Sequence, residues 1–229
     1  MKVGRDRRDS RWDAHREQRR VQLVGAAVAA IRRHGAGIGM DGIAAAAGTS
    51  KTVVYRHFGD RSGLYAAICE SVAGVLLAEV RRATADALGD PARGPRAAVS
   101  AGIDAYLRLI EIDPELYRFV VHRPLLTHGP APRRDTPEPA DGPPDPVHDL
   151  VTVIGDEVAA VIAVHLRDPE QRAAARIRGH AIVGLVRGAA DDWLARPDGT
   201  PRDRLTVHLT DLAWSGLSGL APHVQEVPS

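Results

Sequence analysis

The sequence predicts an all-α fold, and three observations predict it. Apolar residues recur with a helical period along nearly the whole chain. No segment shows a sustained strand alternation bounded by turns. Gly, Pro and Asp stand where helices begin and end. Aromatic residues make up only 4% of the chain, so the core is built mainly from Ala, Val, Leu and Ile.

The elements follow in order. Residues 1–20 are polar and Arg-rich and lack the apolar run of a secretory signal; residues 1–15 read as a flexible basic arm. Leu23, Ala27, Val28 and Ile31 form an apolar stripe that stops at Arg32-Arg33-His34-Gly35, a basic last turn followed by glycine. A short Ala-rich helix is expected over 41–47, closed by Gly48, and another over 50–58. Asp60 is the expected N-cap of a long helix with Leu64, Ile68, Val72, Val75 and Leu76 on one face, running to the low 80s. Residues 89–95 break the pattern. The next helix covers 97–112 with Ile103, Tyr106, Leu107 and Ile110 inward, and Asp113-Pro114 opens another. Residues 128–146 hold seven of the 16 prolines and read as a mobile loop. Further helices are expected over 147–166, from a cap at Asp168 to about 194, and over 201–219; residues 221–229 form a tail.

Composition sets outer bounds. A length of 229 residues suits one large domain or two small ones. The single cysteine, Cys69, excludes an internal disulfide and a cysteine-based zinc cluster, and a reduced, cytoplasmic setting is expected. No stretch reaches about 18 uncharged apolar residues, so no membrane partner is expected. The net charge of +1 conceals an asymmetry. Residues 1–65 carry 13 basic and 6 acidic groups, a balance of +7, and the remainder stands at −6. A basic end on an acidic body points to a polyanion at that end, with a solvated tail as the alternative.

The stretch 41–58 gives the basic end a shape. Two short helices around Gly48-Thr49-Ser50 form a candidate helix-turn-helix. Ala44 is small where the helices meet, Gly48 can take a left-handed conformation at the corner, and Val54 anchors the second helix. Ile43, Ala47 and Phe58 complete the small core. Ser50, Lys51, Thr52, Val53, Arg56 and His57 are left on the outer side, as phosphate and base-edge donors with a methyl contact from Val53, and Tyr55 offers a hydroxyl to a phosphate.

The run from Ser50 to Tyr65, with the lead-in Arg19-Arg20 through His34-Gly35 and Gly39 to Gly48, resembles the TetR family of bacterial transcription regulators over about the first third of the chain. The resemblance implies an all-α homodimer, with an N-terminal three-helix helix-turn-helix DNA-binding domain over 16–62. It implies a C-terminal helical ligand-binding and dimerisation domain over 63–220. By family position, Thr49, Ser50, Thr52, Tyr55, His57 and Arg61 meet phosphate or sugar of double-stranded operator DNA. Lys51, Thr52, Val53 and Arg56 face the major groove, and Arg16, Arg19 and Arg20 add contacts from the arm. Ile31 stands where the family usually has Phe, and Arg61 where Lys is common.

The family's two last helices pair with their mates, which makes Ile182, Leu185, Leu205, Leu209, Leu212, Ala213 and Leu217 candidates for the dimer interface. A two-fold dimer implies a palindromic operator. Residues around Tyr117-Arg118-Phe119, Gly184-Leu185-Val186, Trp193-Leu194 and 213–218 look like actinobacterial members that regulate fatty-acid synthesis and sense long-chain acyl-CoA. That likeness implies an apolar tunnel, with Leu76, Ile103, Tyr106, Leu107, Ile110 and Phe119 as lining candidates. Val120, Val153, Val161, Val183, Val186 and Trp193 join them, and Arg118, His122 and Arg123 could meet an anionic head group. Plain core is the alternative for each apolar position. The function expected is a ligand-responsive transcriptional regulator, in this family most often a repressor. A regulator of drug efflux or other metabolism, a ligand-independent DNA-binding protein and a helical enzyme remain alternatives. No catalytic set, metal site or cofactor motif can be assembled from the sequence.

Overall fold

The computed structural model describes residues 3–90, 92–122, 146–164, 168–196 and 199–218. Among them ten helices and no strand occur. They are α1 (Val3–His34), α2 (Met40–Ala46), α3 (Lys51–Phe58), α4 (Arg61–Leu88), α5 (Gly94–Ile112), α6 (Pro114–His122), α7 (Pro146–Val164), α8 (Pro169–Ala173), α9 (Ala175–Ala195) and α10 (Arg202–Ser218). The bulk of the proline-rich segment expected to be a loop, 128–145, lies outside the described residues, as does the tail.

Three elements differ from expectation. The helix expected to start near the apolar stripe begins at Val3, so the backbone of the arm is helical. Between Gly4 and Gly25 nothing interrupts a run rich in good helix formers. The long helix expected from Asp168 is two helices: Asp168 caps α8 by accepting from the Glu170 amide at 3.1 Å, and the chain then turns at Ala174 before α9. α4 extends to Leu88, because Ala83 to Leu88 contains no helix breaker.

The chain divides into two compact units, 1–74 with 113–150, and 75–112 with 151–229. In the first, α1, α2, α3, α6 and the start of α4 enclose a continuous core that includes Ile31, Ile43, Val54, Leu64, Ile68 and Phe119. Tyr65 is fully buried there, tilted against Phe119 at 5.8 Å between ring centroids, and its hydroxyl donates to the Val120 carbonyl. In the second unit α10 lies antiparallel along α5. Arg202 at its start pairs with Asp104 and Glu111, and Asp211 further on pairs with Arg96 at the start of α5. α7 and α9 cross in backbone contact, where a Cβ on Gly179 would stand 2.5 Å from the Gly155 carbonyl oxygen.

An 18-residue window of α4 has a mean hydropathy of 1.6, enough in length and composition to cross a membrane. Glu70 and Glu79 interrupt its apolar run. Leu64, Ile68 and Cys69 are buried in the first unit's core, and Leu76 and Val80 belong to the second unit, so both units draw on this apolar helix.

Candidate nucleic-acid interface and effector cavity

The α2–α3 corner is built as its residue types require. Ala44 and Val54 are buried at 3% and 1% exposure in one core, so small apolar groups occupy the packed sides of the two short helices. Gly48 takes φ +62°, a left-handed conformation costly for any residue with a Cβ. Ser50 caps α3 by accepting from the Val53 amide, and the Asp60 carboxylate accepts from the Gly63 amide at 2.8 Å at the start of α4. Val54 and Phe58, one turn apart, fix α3 to the core.

That anchoring leaves the opposite side of α3 open. Thr52 and Arg56 are exposed, and Lys51, Val53, Tyr55 and His57 are half-buried at its flanks. Thr49 is half-buried and Ser50 exposed in the turn ahead. Arg61, at the start of α4, donates to the Tyr55 hydroxyl at 3.5 Å. Arg16 is exposed and Arg19 half-buried on α1. Arg56, Arg16, Arg19 and Arg20 all act electrostatically on His57, so one positive field covers the end of α3. The imidazole is held below its ordinary value of 6.5, by burial first and by these arginines next, and among the described residues its Nδ1 has no hydrogen-bond partner.

Several of the expected DNA contacts are engaged within the protein, Arg19 donating to Gln22 at 3.1 Å beside the Arg61–Tyr55 bond. Arg20 donates to the His57 carbonyl at the C-terminal end of α3, and its guanidinium lies 4.7 Å over the Phe58 ring. It therefore holds α3 in place, a long-range contact that helical period does not reveal. Lys51 pairs with Asp41 of α2 at 2.7 Å, and must leave that carboxylate to reach a base.

α6 belongs to this unit as a clasp. Asp113 pairs with Arg32, and Glu115 accepts from the Ala36 amide at 2.7 Å. The Ala36 bond, followed by Arg118, holds the Glu115 carboxyl below its ordinary range. This arrangement corrects two pocket expectations, Phe119 and Val120. Both are buried in the core around Tyr65, and Arg118, expected at a head group, pairs with Glu115. Arg123 lies outside the described residues.

The second unit contains a cavity of about 350 Å³ with predominantly apolar walls from α4, α5, α7, α9 and α10. Of the residues expected to line it, Leu76, Ile103, Tyr106, Val161, Val183 and Val186 do. Leu107 and Ile110 are buried away from it, Val153 is 44% exposed, and Trp193 donates its indole N–H to the Thr200 carbonyl at 2.9 Å. Lining residues that the sequence reading missed include Val80, Arg81, Val99, Glu157, Arg178 and Trp214. The recurrence of Arg178, Ile182 and Val186 every fourth residue is the signal that could have found the α9 wall.

The interface candidates scatter. Leu209 and Ala213 are buried within the chain, and Ile182 is on the cavity wall. Leu185 and Leu205 are half-buried, Leu212 is 59% exposed, and Leu217 lies in α10. The exposed side of α9 is instead a line of Ile177, Ala181, Gly184 and Gly188.

Residues 23–68 match the family model described as bacterial regulatory proteins, tetR family, and residues 82–228 match the tetracyclin repressor-like C-terminal domain. An uncharacterized HTH-type transcriptional regulator of Mycobacterium tuberculosis is 32% identical over 226 residues, covering 95% of this chain and 85% of that protein. The HTH-type transcriptional activator FasR of Mycolicibacterium smegmatis is 28% identical over 218 residues, covering 94% and 90%. The crystal structure of a transcriptional regulator from Rhodococcus sp. RHA1 superposes with a TM-score of 0.60 at 19% identity, covering 87% of this chain and 96% of that one.

Proposed function

The chain belongs to the TetR family of DNA-binding transcriptional regulators, and on that premise we propose a ligand-responsive repressor that binds a palindromic operator as a homodimer in the cytoplasm. It is a regulator and not an enzyme. The observation that carries ligand response is the apolar cavity of about 350 Å³, a volume within the range of small-molecule sites. Its walls suit the acyl chain of a long-chain acyl-CoA, whose large polar head would remain outside. Lys51, Thr52, Val53 and Arg56 read base edges; Thr49, Ser50, Tyr55, His57, Arg61, Arg16 and Arg19 meet the backbone.

Dimerisation uses the exposed line on α9, with Leu212 of α10 as an apolar contribution. Small residues there allow close approach of a second copy, and Ile177 at 75% exposure is left for it to cover. The coupling route is covalent. α4 runs through both units, and α5 passes into the α6 clasp on Arg32 and Ala36. An effector bound better by one dimer state shifts the spacing of the two α3 helices through these passages, and a coupling of about 1–3 kcal/mol changes DNA affinity about 5–150-fold.

Genome-wide binding identifies the operator, and fluorescence anisotropy on that operator with octanoyl-, dodecanoyl- and hexadecanoyl-CoA tests the effector. Unchanged affinity with all three removes the acyl-CoA assignment. A second reading, activation, is favoured by the FasR relative, which is named an activator. A promoter–reporter fusion read with and without the regulator decides the sign.

A further inference from the structure

The charge on the cavity wall is unbalanced. Among the described residues, three ionised side chains line it: Arg81, Glu157 and Arg178. Arg81 and Glu157 pair with each other across α4 and α7, so they cancel and leave nothing for a ligand charge. Among the described residues no carboxylate pairs with Arg178, and the side-chain hydrogen bond it makes is a long one of 3.5 Å to the Gln171 carbonyl. Arg178 is half-buried beside apolar walls, and its planar donor fork matches a carboxylate or phosphoryl group.

Position adds to chemistry. Arg178, Ile182 and Val186 share one face of α9, and the apolar part of that face extends roughly 12 Å from the arginine. Arg178 therefore marks one end of the α9 wall. It is held there by its neighbour Gly179, in backbone contact with Gly155 and Ala159 of α7.

We infer that Arg178 is the anion-recognition residue of the cavity, and that the effector is an amphiphile with an apolar body along α9 and one anionic group on Arg178. This rests on reading the cavity as the effector site. It deepens that reading, because it selects an acid over a neutral or cationic molecule of the same shape. The shared chemistry is a carboxylate, as in a free fatty acid, or a phosphoryl oxygen, as in the head of an acyl-CoA.

Titrations followed by tryptophan emission suit the test, since Trp214 is on the cavity wall. The probes are hexadecanoate, methyl hexadecanoate, hexadecanol and hexadecanoyl-CoA, each with its dodecanoyl counterpart. The full-length protein is expected to bind at least one anionic probe about tenfold or more tighter than the ester and the alcohol, the scale of a charge-assisted hydrogen bond. Arg178→Gln is expected to bring that probe to within about twofold of the ester, with Arg178→Lys restoring part of the preference. Loss confined to hexadecanoate assigns the carboxylate, and loss confined to hexadecanoyl-CoA assigns the phosphoryl group. Val183→Phe, which fills the cavity, is expected to weaken every probe while Arg178→Gln leaves the ester unchanged; circular dichroism confirms that both variants fold. Equal binding of acid and ester, or a preference that survives Arg178→Gln, overturns the role of Arg178 and leaves the cavity reading standing. Failure of every probe to bind overturns both.

Discussion

Around Val54 and Leu64 the first unit has its apolar side chains fully enclosed, whereas the second unit leaves about 350 Å³ between its helices. Of the ten largest fully buried side chains among the described residues, only Leu107 and Thr210 belong to the second unit. The surfaces contrast as well. The first unit carries its polar chemistry outward on α3, and the second places Arg81, Glu157 and Arg178 beside the apolar wall of a cavity. A unit that presents a set of side chains to a rigid duplex needs a fixed core behind them. On the proposed function the second unit needs space that a ligand fills, and such a ligand stabilises the folded state on binding.

The sharpest test of this contrast is truncation on each side. Leu64→Ala, in the enclosed core, is expected to cost about 2–5 kcal/mol in urea unfolding. Ile182→Ala, on a wall that already borders empty space, should cost clearly less. Similar losses would erase the distinction between the units. Next in size, Arg56→Ala should weaken operator binding by about 1–3 kcal/mol and relax preference at one base position, read by anisotropy on a panel of operator variants.

Arg20 and Arg16 separate scaffold from contact. Arg20→Ala is expected to lower the melting temperature, because α3 loses a charged donor on its terminal carbonyl and the stacking on Phe58, together on the order of 1 kcal/mol. Arg16→Ala should leave melting unchanged and reduce the salt slope of DNA binding by about one. The reverse pattern would exchange their roles.

His57 supplies a pH signature. Its folded value lies below 6.5, so its contribution to the stability of the free protein is whole above 6.5 and is lost as pH falls toward that lowered value. Arg56, Arg16, Arg19 and Arg20 oppose its protonation, and a DNA phosphate among them would offset that opposition. Operator affinity should rise a few-fold between about pH 7.5 and 6, and His57→Gln should flatten the profile. The smallest expected effect is at Asp41. Asp41→Asn frees Lys51 and should tighten operator binding by at most about 1 kcal/mol, the scale of an exposed ion pair.

The α2–α3 corner was legible because its determinants are local: Ala44, Gly48, Ser50 and Val54 fall within eleven consecutive positions. The cavity was half legible. Its walls come from five helices, and the periodicity that marks Val161 or Val186 as inward does not say whether inward means wall or core. Phe119 and Val120 show the difficulty. They look like any apolar pair, and only the return of α6 onto Arg32 and Ala36 puts them beside Tyr65. The break at Ala174 lies in a run of alanines that favours continued helix, so no residue there announces it.

α4 carries Leu64 and Ile68 into one core and Leu76 and Val80 onto the wall of another. The angular offset between these two sets is a count of residues, about 100° for each. Substitutions between them leave that count alone, but one inserted residue would swing every later side chain about a quarter turn. Seven inserted residues come back to within about 20° of the starting phase. The cavity lining and the face of α3 share no residue, and each is free to diverge by substitution without the other.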